Sequence, residues 1–84
     1  MARSAVVIGA SSGIGAAVAV ELARRGYAVG IAARRVETLR EVAAQHPGIT
    51  ATIPLDLHDV AESRAAANDL IGKVGGADVF VISA

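Results

Sequence analysis

Three glycines and two serines, Gly9-Ala10-Ser11-Ser12-Gly13-Ile14-Gly15, follow directly on the apolar run Val6-Val7-Ile8 and lead into a helix-like pattern. A strand, a tight glycine turn and a helix start in that order make an anion site. The first N–H groups of a helix have no carbonyl of their own turn to bond, and the helix dipole favours negative charge beside them. A diphosphate is the ligand that such a turn fits best. Each glycine has its own expected task. Gly9 lets the chain leave the strand sharply, Gly13 lets a phosphate approach the backbone, and Gly15 lets the helix pack tightly on a sheet. Ser11 and Ser12 can cap the helix or donate to phosphate oxygens. Ile14 supplies a further backbone amide between the last two glycines.

The spacing narrows the chemistry. Read from Gly13, the G-x-G-x-x-G fingerprint would need a glycine where Val18 stands. A P-loop requires Gly-Lys-Ser/Thr, and Gly13 is followed by Ile14-Gly15, which argues against nucleoside-triphosphate hydrolysis.

The elements that must position this turn alternate along the chain. Strands are expected at Ala5 to Ile8, Tyr27 to Ala33, Ile49 to Leu55 and Asp78 to Ile82. Helices are expected at Gly13 to Arg25, Val36 to Gln45 and Val60 to Lys73, giving β-α-β-α-β-α-β. The first and fourth strands are consecutively apolar, which suits central strands of a parallel sheet covered on both faces. The third alternates Ile49, Ala51, Ile53 and Leu55 with Thr50 and Thr52, and Pro54 cannot donate to a ladder, so it belongs at an edge. Right-handed crossovers then give an α/β fold, a Rossmann-type doubly wound parallel sheet in its first half, with strand order 3-2-1-4. On the helices, Ile14, Val18 and Leu22 are expected inward, as are Leu39, Val42 and Ala43, and then Ala67, Leu70, Ile71 and Val74. Asp59 and Glu62 have capping-box spacing, and Gly26 is placed to end the first helix.

In such sheets ligands bind beyond the carboxyl ends of the strands. Those ends are the glycine turn, Ala33-Arg34-Arg35, Asp56-Leu57 and Ser83-Ala84. An acidic residue about 20 positions past the glycines accepts from the ribose 2′-hydroxyl of NAD. Here that region holds no carboxylate but two arginines, Arg34 and Arg35, which attract a 2′-phosphate instead. NADP(H) is therefore expected over NAD(H), with Arg34 the better placed. The bland alternative is a pair of solvated charges opening the second helix, where cations are mildly unfavourable. Asp56 can accept from an exocyclic amine or serve as a turn residue beside Leu57.

The segment Gly9 to Gly15 resembles the cofactor loop of the short-chain dehydrogenases/reductases, and the resemblance covers essentially the whole chain. That family usually has a threonine where Ile8 stands, and commonly Asn-Asn-Ala-Gly where this chain has Ile82-Ser83-Ala84. The resemblance implies a dinucleotide cofactor, Asp56 and the following backbone at the adenine, and Ser83 and Ala84 at the cofactor rim. It further implies a small-molecule carbonyl or alcohol substrate and a homo-oligomer for the intact protein. The family's catalysis uses a tyrosine, a lysine four residues later and a serine. The one tyrosine here, Tyr27, has Ile31 in that position, and Lys73 stands alone. The chain is thus expected to hold the amino-terminal, cofactor-binding part of a truncated reductase and no catalytic residues. A non-catalytic dinucleotide-binding or sensing module is the alternative. A sugar-nucleotide epimerase of the related extended type is disfavoured, because its loop reads G-x-x-G-x-x-G.

Composition excludes other classes. The chain is 54% hydrophobic, with 8 basic and 8 acidic residues and net charge zero, so bulk charge favours neither nucleic acid nor an anionic membrane. It has no cysteine, and His46 and His58 lack metal-ligand spacing. No apolar run reaches the roughly 20 residues that span a bilayer, and no secretory signal is evident. A soluble cytoplasmic location is the expectation.

Overall fold

The computed structural model describes residues 3–10, 13–55 and 60–82. Seven elements alternate as expected: β1 (Ser4–Ile8), α1 (Gly13–Arg24), β2 (Ala28–Ala33), α2 (Val36–Ala43), β3 (Ile49–Pro54), α3 (Val60–Val74) and β4 (Val79–Ile82). The four strands form one sheet in the order β3-β2-β1-β4, every pair parallel. All carboxyl ends therefore lie on one rim. The Asp59–Glu62 capping box falls outside the described residues, because only Glu62 is among them.

Two apolar layers result from the alternation of side chains along the strands. Ala5 and Val7 of β1, with Val29, Ile31 and Ala33 of β2, pack against Ala19, Val20 and Ala23 of α1 and Leu39 and Val42 of α2. Val6, Ile8 and Ala32 face the other way, onto Ala66, Leu70 and Val74 of α3. β1 is buried at every residue, as consecutive apolar runs demand. β3 alternates between covered and exposed positions and lies at the edge. Of the α2 residues expected inward, Leu39 and Val42 are buried and Ala43 is half-buried.

Two expectations are corrected. On α1 the buried positions are Gly15, Ala19, Val20 and Ala23, whereas Ile14 is 76% exposed and Val18 and Leu22 are half-buried. The helix is rotated so that its smallest residues meet the sheet, which lets the backbones come close. On α3 the buried stripe is Ala66, Leu70 and Val74, at four-residue spacing, with Ala67 and Ile71 only half-buried. β4 takes the outer place in the expected order 3-2-1-4, beside β1, with Phe80 45% and Ile82 67% exposed. Its apolar residues find β1 on one side and no described strand on the other.

The crossing of α3 over β2 depends on Gly30. A Cβ built there would lie 3.1 Å from Leu70 Cδ2 and 3.3 Å from Val74 Cγ1, both on buried side chains. Gly30→Val adds three carbons to that space, and overpacking of this kind costs about 1–3 kcal/mol. A fall in the urea midpoint without a change in slope is the expected reading.

The amino ends of the strands are pinned by polar bonds. Ser4, the one buried polar residue among the described residues, donates its hydroxyl to the Val74 carbonyl at 2.6 Å. Its backbone N–H donates to Asp78 Oδ2 at 2.9 Å, and the Asp78 N–H returns a bond to the Ser4 carbonyl at 2.8 Å. Together these ties set where β4 joins β1 after α3 ends. Ser4→Ala should cost about 1–2 kcal/mol of stability, because the buried Val74 carbonyl loses that donor. Thermal unfolding would show it as a lowered midpoint.

Candidate cofactor site

The β1–α1 turn is fixed from both sides. Gly9 has φ of 87°, a conformation that residues with a Cβ rarely adopt, and it turns the chain off β1. The N–H groups of Gly9 and Ala10 then both donate to the Ala32 carbonyl of β2, at 2.8 and 3.1 Å. Ile8 brings no hydroxyl to this turn, yet the turn is tied to the neighbouring strand through its own backbone. Below it lies Gly15. A Cβ there would stand 2.5 Å from the Gly9 carbonyl oxygen and 3.1 Å from Ala10 Cα. The first turn of α1 thus rests directly on the glycine turn, an approach that only a residue lacking Cβ allows.

The helix end so positioned is open. Gly13 and Ile14 are exposed, and a Cβ on Gly13 would meet nothing within 4 Å. Among the described residues no backbone carbonyl outside α1 takes the amides of Gly13, Ile14 or Gly15. The first turn of α1 has no acidic side chain. Helix-start amides that no outside carbonyl takes among the described residues, a positive dipole end and no acidic side chain in the first turn are what a phosphate needs. The residues present therefore fit a diphosphate-bearing group.

The other strand ends fall on the same rim. Ile8 is in register with Ala32 and with Ile82, and Ala33 with Pro54. Arg34 stands one residue beyond the end of β2, exposed, in the bend before α2. Arg35 is the N-cap residue of α2, in extended conformation (φ −107°, ψ 125°), with no side-chain capping bond. Its carbonyl accepts from the Leu39 N–H at 3.1 Å and so closes the first turn of α2. Neither arginine is ion-paired among the described residues, where the pairs are Arg25–Glu21 and Lys73–Asp69. At the end of β3 the Leu55 N–H donates to the Ala33 carbonyl at 2.8 Å, holding the strand ends level. Ser11, Ser12, Asp56, Leu57, Ser83 and Ala84 lie outside the described residues. The structure thus brings Gly9, Gly13, Ile14, Gly15, Arg34 and Arg35 to one rim. It adds the Ala32 carbonyl, which anchors the turn and which side-chain identity gives no way to foresee.

Tyr27 is at the other end. It is half-buried just before β2, at the amino end of the sheet, beside the C-terminus of α1. Its side-chain hydrogen bond is the main cause that raises the Arg3 guanidinium pKa above its ordinary value. The chain reaches β2 through Gly26, with φ of 91°. The Gly26 and Tyr27 N–H groups bond the carbonyls of Ala23 and Leu22 and close the end of α1. Lys73 is 3.4 Å from Asp69 on the outer face of α3. Tyr27 and Lys73 are therefore placed by packing and by local ion pairing, away from the cofactor rim. A shallow hollow of about 470 Å³ lined by Ala17, Val18, Glu21, Leu22, Arg25 and Tyr27 lies on the outer flank of α1, on the Tyr27 side of the domain. No cluster of three or more metal-ligating side chains occurs among the described residues, and no helix there is long and apolar enough to cross a membrane.

Comparison with known proteins yields a consistent set of relatives. The family model described as short chain dehydrogenase matches residues 3–84. A hydroxysteroid 11-beta-dehydrogenase 1-like protein B of Xenopus laevis is 31% identical over 96% of this chain and 29% of its own length. Among solved structures, a variant of actinorhodin polyketide ketoreductase with NADPH superposes with a TM-score of 0.86. It is 32% identical, over 99% of this chain and 33% of that one. A metagenomic short-chain oxidoreductase in complex with NADP gives a TM-score of 0.80 at 36% identity, over 93% of this chain and 37% of that one. The chain thus spans about a third of the length of the proteins it matches.

Proposed function

The chain belongs to the short-chain dehydrogenase family, and on that footing we propose that it is the NADP(H)-binding portion of an oxidoreductase. The observation that carries this reading is the open start of α1, locked by the Gly15–Gly9 approach and free of acidic side chains. The amides of Gly13, Ile14 and Gly15 would hold the diphosphate, with Ser11 and Ser12 as further donors. Arg34, and Arg35 beside it, would meet the 2′-phosphate that separates NADP(H) from NAD(H), since no carboxylate stands at the end of β2. Asp56 and Leu57 would receive the adenine, and Ser83 and Ala84 would border the cofactor further along the rim. When bound, the cofactor supplies or accepts a hydride; a carbonyl or alcohol of a small molecule is the other reactant.

The proton-transfer groups are assigned to a longer polypeptide of which this chain is the amino-terminal part, because Tyr27 and Lys73 sit away from the rim. The intact protein is taken to be cytoplasmic and homo-oligomeric, with no nucleic-acid or membrane partner. The placement of Tyr27 and Lys73 also favours a second reading, a dinucleotide-binding module without catalysis. Titration with NADPH and with NADH, followed by the fluorescence of the reduced nicotinamide, tests the site. NADPH should bind at least about tenfold more tightly, equivalent to roughly one charge-assisted bond. Equal affinities would overturn the cofactor preference alone, and binding of neither would overturn the site.

A further inference from the structure

The two helices that start from the rim on one face of the sheet carry different charge at their starts. α1 and α2 both pack on the layer that includes Val7, Val29 and Ile31, and their amino ends follow the adjacent strands β1 and β2. The first turn of α1 holds no acidic side chain, whereas that of α2 holds Glu37, two residues beyond Arg35. Leu39 and Val42 are the buried residues of α2. Glu37, two positions before Leu39 and so roughly 200° round the helix from it, is exposed on the outer face. A helical side chain leans toward the amino end of its own helix, which tips this carboxylate toward the rim. Among the described residues the ion pairs are Arg25–Glu21 and Lys73–Asp69, so none of Arg34, Arg35 and Arg40 pairs with Glu37.

We propose that Glu37 is a specificity-determining residue whose carboxylate opposes the 2′-phosphate at Arg34 and Arg35 and so limits the preference for NADP(H) over NAD(H). The inference rests on the cofactor reading given above. The positive end of a helix dipole is equivalent to about half a charge. At α1 that end is left to the diphosphate, which both cofactors carry. At α2 the carboxylate of Glu37 already offsets it, so a 2′-phosphate gains from the arginine side chains and little from the helix. A phosphate monoester bears about two negative charges near neutral pH, and a carboxylate in the same helical turn repels it. The effect falls on the one group that separates the two cofactors. Charges that meet through water repel weakly and are screened by salt, which sets both the size of the effect and its signature. A merely structural role gives the opposite result: an acidic residue at a helix start steadies the helix, and its loss would weaken both cofactors alike.

Isothermal titration of the intact protein with NADP+ and with NAD+, at low ionic strength and again in 1 M salt, tests the proposal. At low ionic strength Glu37→Gln should tighten NADP+ by about threefold and leave NAD+ unchanged, and Glu37→Lys should tighten NADP+ further. In about 1 M salt, where the screening length falls to roughly 3 Å, the gain should vanish. Glu41→Gln, one turn further along α2, should change neither affinity. Arg34→Ala in the same series separates the two readings. If it leaves NADP+ binding unchanged, the placing of the 2′-phosphate fails, and this inference with it. If it weakens NADP+ while neither Glu37 variant tightens it, this inference alone is overturned. A gain shared equally by NAD+, or one that persists in 1 M salt, would overturn it as well.

Discussion

Gly15→Val is expected to cost at least about 3 kcal/mol of folding stability, enough to unfold much of a domain this small. The reason is the nature of the wall that the new side chain meets. At Gly30 the obstructing atoms are ends of side chains, which can turn aside. At Gly15 they are the carbonyl oxygen of Gly9, 2.5 Å from a built Cβ, and the Cα of Ala10 at 3.1 Å. That backbone is held by two hydrogen bonds to Ala32 and by the positive φ of Gly9, so it has nowhere to retreat. Relief requires lifting α1 off the sheet, which opens the layer formed by Ala19, Val20 and Ala23 against Val7 and Ile31. Gly15→Ala should show the same effect in smaller measure, and chemical denaturation of both would rank them. Where the alanine variant still folds, its dinucleotide affinity should fall as well, because the amides at the helix start move with the helix.

Arg34→Ala is expected to weaken NADPH binding by about 10- to 100-fold and to leave NADH binding within about twofold. A hydrogen bond to a charged partner contributes roughly 1.5–3 kcal/mol, and the 2′-phosphate is the only group by which the two cofactors differ. The arginine is exposed, and its removal breaks no ion pair among the described residues. Its truncation should therefore leave the urea midpoint nearly unchanged, which separates a lost contact from a lost fold. Arg35→Ala should have the smaller effect, since that residue's backbone is committed to opening α2. Isothermal titration of each variant with both cofactors gives the comparison.

Strand order and layer assignment were legible in the sequence because they rest on features that tertiary context rarely overrides. Consecutive apolar residues placed β1 inside, and Thr50, Thr52 and Pro54 placed β3 at an edge. The rotation of α1 was not legible in that way. Its sequence from Gly13 to Arg24 is apolar or alanine at almost every position, so hydropathy does not single out a face. Close approach decides instead, and the helix turns Gly15, Ala19 and Ala23 inward while the larger Ile14 faces out. The glycine spacing did announce this, since the need for Gly15 as a packing residue already implies which face meets the sheet. The Ser4–Asp78 pairing had a faint signal, two polar residues at the starts of strands that lie side by side. The Ala32 carbonyl that fixes the glycine turn had none.

The central claim is that the backbone amides at the start of α1 bind the diphosphate of a nicotinamide dinucleotide. Amide chemical-shift mapping of the labelled chain during titration with NADP+ tests it residue by residue. Saturable shifts centred on Gly13, Ile14 and Gly15, with a second group at Arg34 that NAD+ does not produce, are the predicted result. Shifts confined to the Tyr27 side of the domain, or a spectrum unchanged at saturating cofactor, would contradict it.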